Sequence, residues 1–474
     1  MSNAMKQFVS KIILVILSGV LLSAPISTDG AAFGRHQKPN VLIITADNLG
    51  YGDLSIMGAK DIQTPTIDEF FTDGLMFTEF YANAPTSSPT QASLLSGRFP
   101  ALVGVPGTIR RDSQNNWGYF QCEKTMAHHF REAGYLTALI GKWNLGFEAP
   151  NLPNAQGFDL FMGFLGDEID DYYTHRHENV NCMRFNESEI DAPGHTTDLF
   201  SNWSASFILR EAESDKPFFL YLSYNAPGPL LQPDEDHLKD VSNRNPTLSP
   251  ERAKHIALIE QMDRGIGRVM QALKETNQLK NTIIIFTSTN GGIVESGASN
   301  GRLRGGKLDL FEGGIRVPTS IYWKKGIKKG SLSHQMSMTM DLFPTLCSLA
   351  QVPTNQILDG QDLTTCILDN VPLQQERTLF WTCREGGEHH GEACYAARQG
   401  AYKLMQNRPS EKFRLYNLTT DPHEVIPLAE SSEHYRRLHR ALMDHVQENE
   451  KIPWFENAKK QEHPSSDNSS TSDN

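Results

Sequence analysis

Four apolar runs, each ending in a polar turn, constrain this chain more than any other feature. They are residues Val41–Ile44, Tyr135–Ile140, Phe218–Leu222 and Ile283–Phe286. Short, nearly continuous apolar runs read as strands buried on both faces, the habit of a parallel sheet. Helical patterns lie between them. The clearest joins Ile259, Met262, Ile266, Val269 and Leu273 at spacings of three and four, which puts all five on one helix face. Strands alternating with helices predict an α/β fold with helices on both faces of a mostly parallel central sheet.

Ligands of such sheets bind beyond the carboxyl ends of the strands, so the residues after each run matter. Asp47-Asn48 follows the first run and Gly141-Lys142-Trp143-Asn144 the second. Asn225-Ala226-Pro227-Gly228 follows the third and Ser288-Thr289-Asn290-Gly291-Gly292 the fourth. Polar side chains are thus expected to gather at one sheet edge. Ordinary turn chemistry also favours Asn, Asp and Gly there, so no single loop identifies a site.

Near residue 370 the pattern changes. Leu379–Trp381, Tyr395–Ala397, Tyr402–Leu404 and Arg414–Tyr416 are short strand-like pieces separated by turn residues. They predict a small antiparallel sheet, followed by a helix carrying Leu438, Leu442 and Val446. The expected division is an α/β domain over 39–370, an α+β subdomain over 371–458 and a disordered tail over 459–474, rich in Ser, Asp and Asn.

The chain's beginning reads as an export signal over 1–32. Lys6 and Lys11 precede an apolar stretch from Ile12 to Leu22, of signal-peptide length and short for a membrane span. An uncleaved anchor is the alternative, and Ser2-Asn3-Ala4 resembles a cloning scar. The expected location is periplasmic or secreted, with no membrane attachment after signal removal. A formal net charge of -12 argues against a nucleic-acid partner, which needs a basic face. Six cysteines in an exported chain can pair, and Cys383 with Cys394 is the expected bridge. The segment Glu388-His389-His390-Gly391-Glu392 reads as a solvated loop, with metal binding as the alternative.

The most specific segment is 87–98, Ser-Ser-Pro-Thr-Gln-Ala-Ser-Leu-Leu-Ser-Gly-Arg. Pro89 suits the first turn of a helix, and Ala92, Leu94 and Leu95 continue it. Ser87 would then stand at a helix N-terminus, where free N–H groups favour an anion. That is a suitable position for a nucleophile toward a charged ester, although a simple capping role is the commoner fate of such a serine.

This segment resembles the sulfatase signature Cys-x-Pro-Ser-Arg-Ala-x-Leu-Leu-Thr-Gly-Arg. Further sulfatase-like blocks follow in the family's order: 46–53, 141–146, 304–307, 312–318, 341–345 and 415–422. The resemblance runs from about Asp47 to Asp421. It implies an alkaline-phosphatase-like sandwich with a small C-terminal domain. It also implies a formylglycine nucleophile, a calcium site, and Lys and His side chains that bind sulfate and protonate the leaving group.

Matched residue by residue, the chain departs from that pattern. Ser87 takes the formylglycine position, Gln91 replaces Arg, Asn144 replaces His and Gly228 replaces a second His. At the metal positions Asp47 and Asn290 are kept, while Asn48 and Thr289 replace Asp. Lys142 and Lys307 match the sulfate-binding lysines. One carboxylate where the family has three predicts weak or absent calcium binding, since affinity follows ligand charge. Loss of titratable groups predicts impaired hydrolysis. The expected function is therefore an exported, degenerate member that binds sulfated glycans or other sulfate esters. With both lysines kept and two metal carboxylates lost, its pocket is expected to be more positive than a metal-free sulfatase site and to hold a sulfate or sulfated sugar without metal. One alternative is an active sulfuric ester hydrolase with a serine-derived formylglycine. Another is a phosphatase using unmodified Ser87, for which the Asp-His ligands of a two-metal site are missing at Thr289-Asn290.

Overall fold

Each of the four apolar runs becomes a strand of one sheet, and each strand extends further into its polar turn than the run itself. A computed structural model describes residues 38–110, 120–374, 376–385 and 391–449. The described residues build a ten-stranded sheet. From edge to edge it runs Ser331–Ser333, Leu75–Phe77, Thr319–Tyr322, Thr282–Ser288, Asn40–Asp47, Phe218–Pro227, Leu136–Trp143, Leu160–Leu165, Met183–Phe185 and Ser188–Glu189. The five strands from Thr282–Ser288 to Leu160–Leu165 are parallel neighbours.

Alternation along the Asn40–Asp47 strand divides the core. Val41 and Ile43 join a cluster with Leu94, Leu95 and Phe130 on one face. Leu42, Ile44 and Ala46 join Ile259, Met262 and Ile266 on the other. The second cluster contains the predicted helix, which spans Pro250–Glu275. The sheet is thus covered on both sides, as a parallel sheet must be.

Register brings the turns together. Ala46 pairs with Ser288 and Asp47 with Pro227. The Thr289 amide donates to Ala46 O at 3.0 Å and the Gly228 amide to Asp47 O at 3.1 Å. Asn48 then turns the chain in the left-handed region at φ 62°, which asparagine tolerates better than most residues.

The C-terminal strands form the predicted antiparallel sheet: Thr378–Arg384, Ala393–Gln399, Tyr402–Gln406 and Arg414–Asn417. Trp381, Ala396, Met405 and Tyr416 pack with Tyr81, Ile315 and Met340. Buried Lys403 lies 3.0 Å from Glu312 and 2.8 Å from Glu424. The helix Glu433–Asn449 covers the sheet's other face through Leu438 and Leu442.

Cys383 and Cys394 stand opposite each other on adjacent strands, but both are free thiols rather than the expected bridge. Burial pushes both thiols up, Cys394 to about 11, so little of the thiolate needed for exchange is present near neutrality. The expected export signal and the polar tail lie outside the described residues, as do Glu388, His389 and His390. No described helix is long and apolar enough to cross a membrane.

Candidate functional site

The helix that opens at Ser87 spans Ser87–Ser96, and every residue in it is buried. Its polar side chains are accommodated by specific bonds. Ser88 Oγ accepts from the Ile109 amide at 3.0 Å. Thr90 Oγ1 donates to Ala84 O at 3.1 Å. Ser96 Oγ donates to Ala92 O at 2.7 Å. Thr86 precedes the helix in extended conformation without a side-chain cap. Ser87 is therefore the first helical residue, and its hydroxyl is not used as a cap.

Gln91 lies one turn on and ties the helix to the Leu136–Trp143 strand. Its amide donates to Lys142 O and to Tyr221 Oη, each at 3.3 Å, and its oxygen accepts from the Asn144 amide at 2.8 Å. Gln91 thus positions the backbone on both sides of Trp143 without adding charge. Gly141, at φ 119°, precedes Lys142, and a Cβ there would lie 1.9 Å from Ser223 O. Only glycine lets the two strands approach at the point where Lys142 enters the site.

Lys142, only 3% exposed, is the centre of the arrangement. Its Nζ lies 2.9 Å from Asp47 Oδ2 and 2.9 Å from Asp167 Oδ1, and donates to Ser87 Oγ at 3.4 Å. Asn144 Nδ2 donates to Asp167 Oδ1 at 2.8 Å and to Ser87 Oγ at 3.5 Å. Ser87 Oγ donates to Asp167 Oδ1 at 3.2 Å. Burial alone would lower the Lys142 pKa, but Asp167 and Asp47 hold its ammonium above the usual lysine range. Burial would raise Asp167, yet Lys142, with Lys307 and Arg110 farther off, holds it well below the usual carboxylate range.

The four expected metal positions do come together, but their side chains bond to one another. Thr289 Oγ1 donates to Asp47 Oδ1 at 2.8 Å and contacts Asn290 Oδ1 at 3.0 Å. Asn290 Nδ2 donates to Asn48 Oδ1 at 2.8 Å, and Asn48 Nδ2 to Asp47 Oδ2 at 3.2 Å. Calcium prefers about six to eight oxygen ligands with several carboxylates among them. Here one carboxylate serves both the ring and an ammonium.

Lys307 is half-buried and held through its amide to Gly292 O at 3.1 Å, and its charge acts on Asp167. Gly228 sits at φ 39°, and a Cβ there would lie 2.4 Å from Asn225 O and 3.1 Å from Tyr172 Oη. The missing histidine at this position is therefore built into the backbone.

Two residues of the site escaped the sequence reading. Asp167 follows a fifth apolar run, Leu160–Leu165, that was not read as a strand; the rule applied to the other four would have flagged Gly166-Asp167-Glu168. Asp167 also adds a carboxylate beside Lys142 that the expectation of a more positive pocket did not include. Arg110 is the second. It pairs with Glu385 at 3.1 Å, a contact across 275 residues that no local pattern announces. Beside Asp167 opens a cavity of about 260 Å³, lined by Arg110, Phe147, Leu165, Glu168 and His177 among others.

Comparison with known proteins agrees with this architecture. Residues 39–352 match the sulfatase family model, and 306–451 match the C-terminal model of N-sulphoglucosamine sulphohydrolase. The N-acetylgalactosamine-6-sulfatase of Canis lupus familiaris is 28% identical, over 89% of this chain and 87% of its own length. Arylsulfatase A of Homo sapiens is 31% identical over 79% and 76%. Among solved structures, Ps i-CgsB in complex with k-i-k-neocarrahexaose superposes with a TM-score of 0.81 at 28% identity, covering 90% of this chain and 96% of that one. By fold and sequence, the chain belongs to the sulfatase family, within the alkaline-phosphatase-like superfamily.

Proposed function

We propose that this protein is an exported sulfatase-family member that binds sulfated carbohydrate without hydrolysing it. The observation that carries this reading is Lys142 Nζ, 2.9 Å from both Asp47 and Asp167. An ammonium held there opposes a divalent cation at the same carboxylate. Family members generally use such a metal, and the Asp47, Asn48, Thr289 and Asn290 donor set does not fit calcium well enough for tight binding. Proton handling is also missing. Lys142 is held above, and Asp167 below, their usual ranges, so neither changes charge near neutrality. Asn144 does not titrate, and Gly228 has no side chain. Loss of a general acid or base costs about two to four orders of magnitude in rate.

Binding is assigned to the cavity beside the site. Phe147 and Arg110 line this cavity, an apolar ring and a cation for a sulfated sugar, and Lys307 adds positive charge from outside the lining, where it acts on Asp167. The k-i-k-neocarrahexaose complex of the similarly folded Ps i-CgsB supports a carbohydrate ligand. Calorimetry with sulfated and desulfated oligosaccharides, in chelator, tests it. Binding of the sulfated form that weakens at least tenfold in Arg110→Ala is expected. Equal binding of both forms, or of neither, removes the assignment.

One observation favours the second reading, an active sulfuric ester hydrolase. Ser87 Oγ is at the head of a helix and within 3.4 Å of Lys142, a sound placement for a nucleophile. Formylglycine at Ser87 would establish that reading.

A further inference from the structure

The donors around Ser87 converge on one anion, and the chain supplies that anion itself. Asp167 Oδ1 accepts from Lys142 Nζ at 2.9 Å, Asn144 Nδ2 at 2.8 Å and Ser87 Oγ at 3.2 Å. Lys307 and Arg110 add attraction from farther away. An ammonium, an amide and a hydroxyl around one point, with further positive charge beyond them, would hold a free oxyanion if the carboxylate were absent. The Asn144 amide shows the same orientation from its other end. Its Nδ2 is directed to Asp167, while its Oδ1 is buried with no hydrogen-bond partner. The amide has committed its donor to the carboxylate at the cost of an unsatisfied acceptor, which is ordinarily unfavourable.

Local chain geometry delivers Asp167 to this point. The Leu160–Leu165 strand runs parallel to Leu136–Trp143, with Phe164 in register with Lys142. Gly166, at φ 123°, then turns the chain, and its amide donates to Trp143 O at 2.8 Å. The next residue is Asp167. Its side chain ends within hydrogen-bond distance of the Ser87 hydroxyl.

We infer that Asp167 is an internal anion filling an oxyanion-binding seat, so that sulfate or another small oxyanion is excluded from Ser87 until the carboxylate is removed. A second anion would meet a fixed negative charge and find the three nearest donors already engaged. A sulfated ligand of the parent protein is therefore confined to the rim. This deepens the reading given above for the site. Its test measures anion affinity in variants, so it can fail while rim binding of a glycan stands, and the reverse.

Calorimetry with sodium sulfate in chelator compares the parent with Asp167→Ala. The expected result is sulfate binding at least tenfold tighter in the variant, lost again in Asp167→Ala with Lys142→Ala. Asp167→Ser, smaller and still able to accept one hydrogen bond, serves if the alanine variant does not fold. A second measurement uses formate, which returns a free carboxylate. It should raise the melting temperature of the variant in proportion to the logarithm of its concentration, as a ligand of the native state does, and leave the parent unchanged. Equal sulfate affinity in parent and variant overturns the inference. So does a variant that responds to neither sulfate nor formate, because the donors would then not form an anion seat.

Discussion

Lys142 Nζ lies 2.9 Å from Asp47 Oδ2, with both side chains almost wholly buried. The one carboxylate kept at the expected metal positions is thus neutralised from within the chain. Thermal melts in calcium and in chelator should coincide, because a ligand raises stability only above its dissociation constant. A calcium-dependent rise in melting temperature that Asp47→Ala removes would contradict this.

The same contact makes Lys142 important to stability. Lys142→Met leaves Asp47 and Asp167 buried without their shared counterion, and breaking such a pair costs about 3–5 kcal/mol. Denaturant titration near neutral pH reads this loss directly. The loss depends on pH through both partners. The depressed Asp167 pKa contributes stability above the unfolded carboxylate value and loses it as pH falls well below that value. The raised Lys142 pKa contributes stability below the unfolded lysine value and loses it as pH rises through the folded one. Between about pH 5 and pH 10 the pair's contribution should be flat.

Putting family residues back should not repair the site one at a time. Gly228→His places a Cβ 2.4 Å from Asn225 O at a positive φ, and strain of this kind costs on the order of 1–3 kcal/mol. Gln91→Arg removes the acceptor of the Asn144 amide and buries a charge beside Lys142. Both variants should melt below the parent. A histidine at 228 tolerated without loss of stability would show that the backbone there is freer than described.

Much of this was legible in the sequence, for physical reasons. Buried parallel strands need near-continuous apolar runs, so four of the central strands could be read, and with them the edge where Asp47, Asn144, Gly228 and Thr289 meet. Lys142 was placed in a turn but lies inside its strand, because periodicity does not mark where a buried strand stops. Asp167 was missed because its strand, Leu160–Leu165, is interrupted by Gly163 and only partly buried. The hydrogen bonds that make Gln91 a spacer and the metal positions a closed ring depend on register, which one sequence does not display.

His445 provides a pH test away from the site. It stacks on Phe380 with ring centroids 4.2 Å apart, and burial lowers its pKa to about 4. A base with a depressed folded pKa contributes stability above its unfolded value, near 6.5, and loses it as pH falls toward the folded one. From pH 7.5 to pH 5 the parent should lose about 2 kcal/mol through this residue. His445→Phe should show a smaller drop over that interval. An identical pH dependence in the two proteins would remove His445 from the account.

Ser87 should remain serine. Gln91 stands where the resembled signature has Arg, and peptide mass spectrometry of native material should show no loss of two hydrogens at Ser87. An aldehyde there would move the protein to the active-hydrolase reading.

The most direct test of the central claim is sulfate release, followed by ion chromatography, from an aryl sulfate and a panel of sulfated oligosaccharides with calcium present. The account predicts no release above that of Ser87→Ala. Release at ordinary enzyme rates, about 1–1000 per second, abolished by Ser87→Ala, would contradict it.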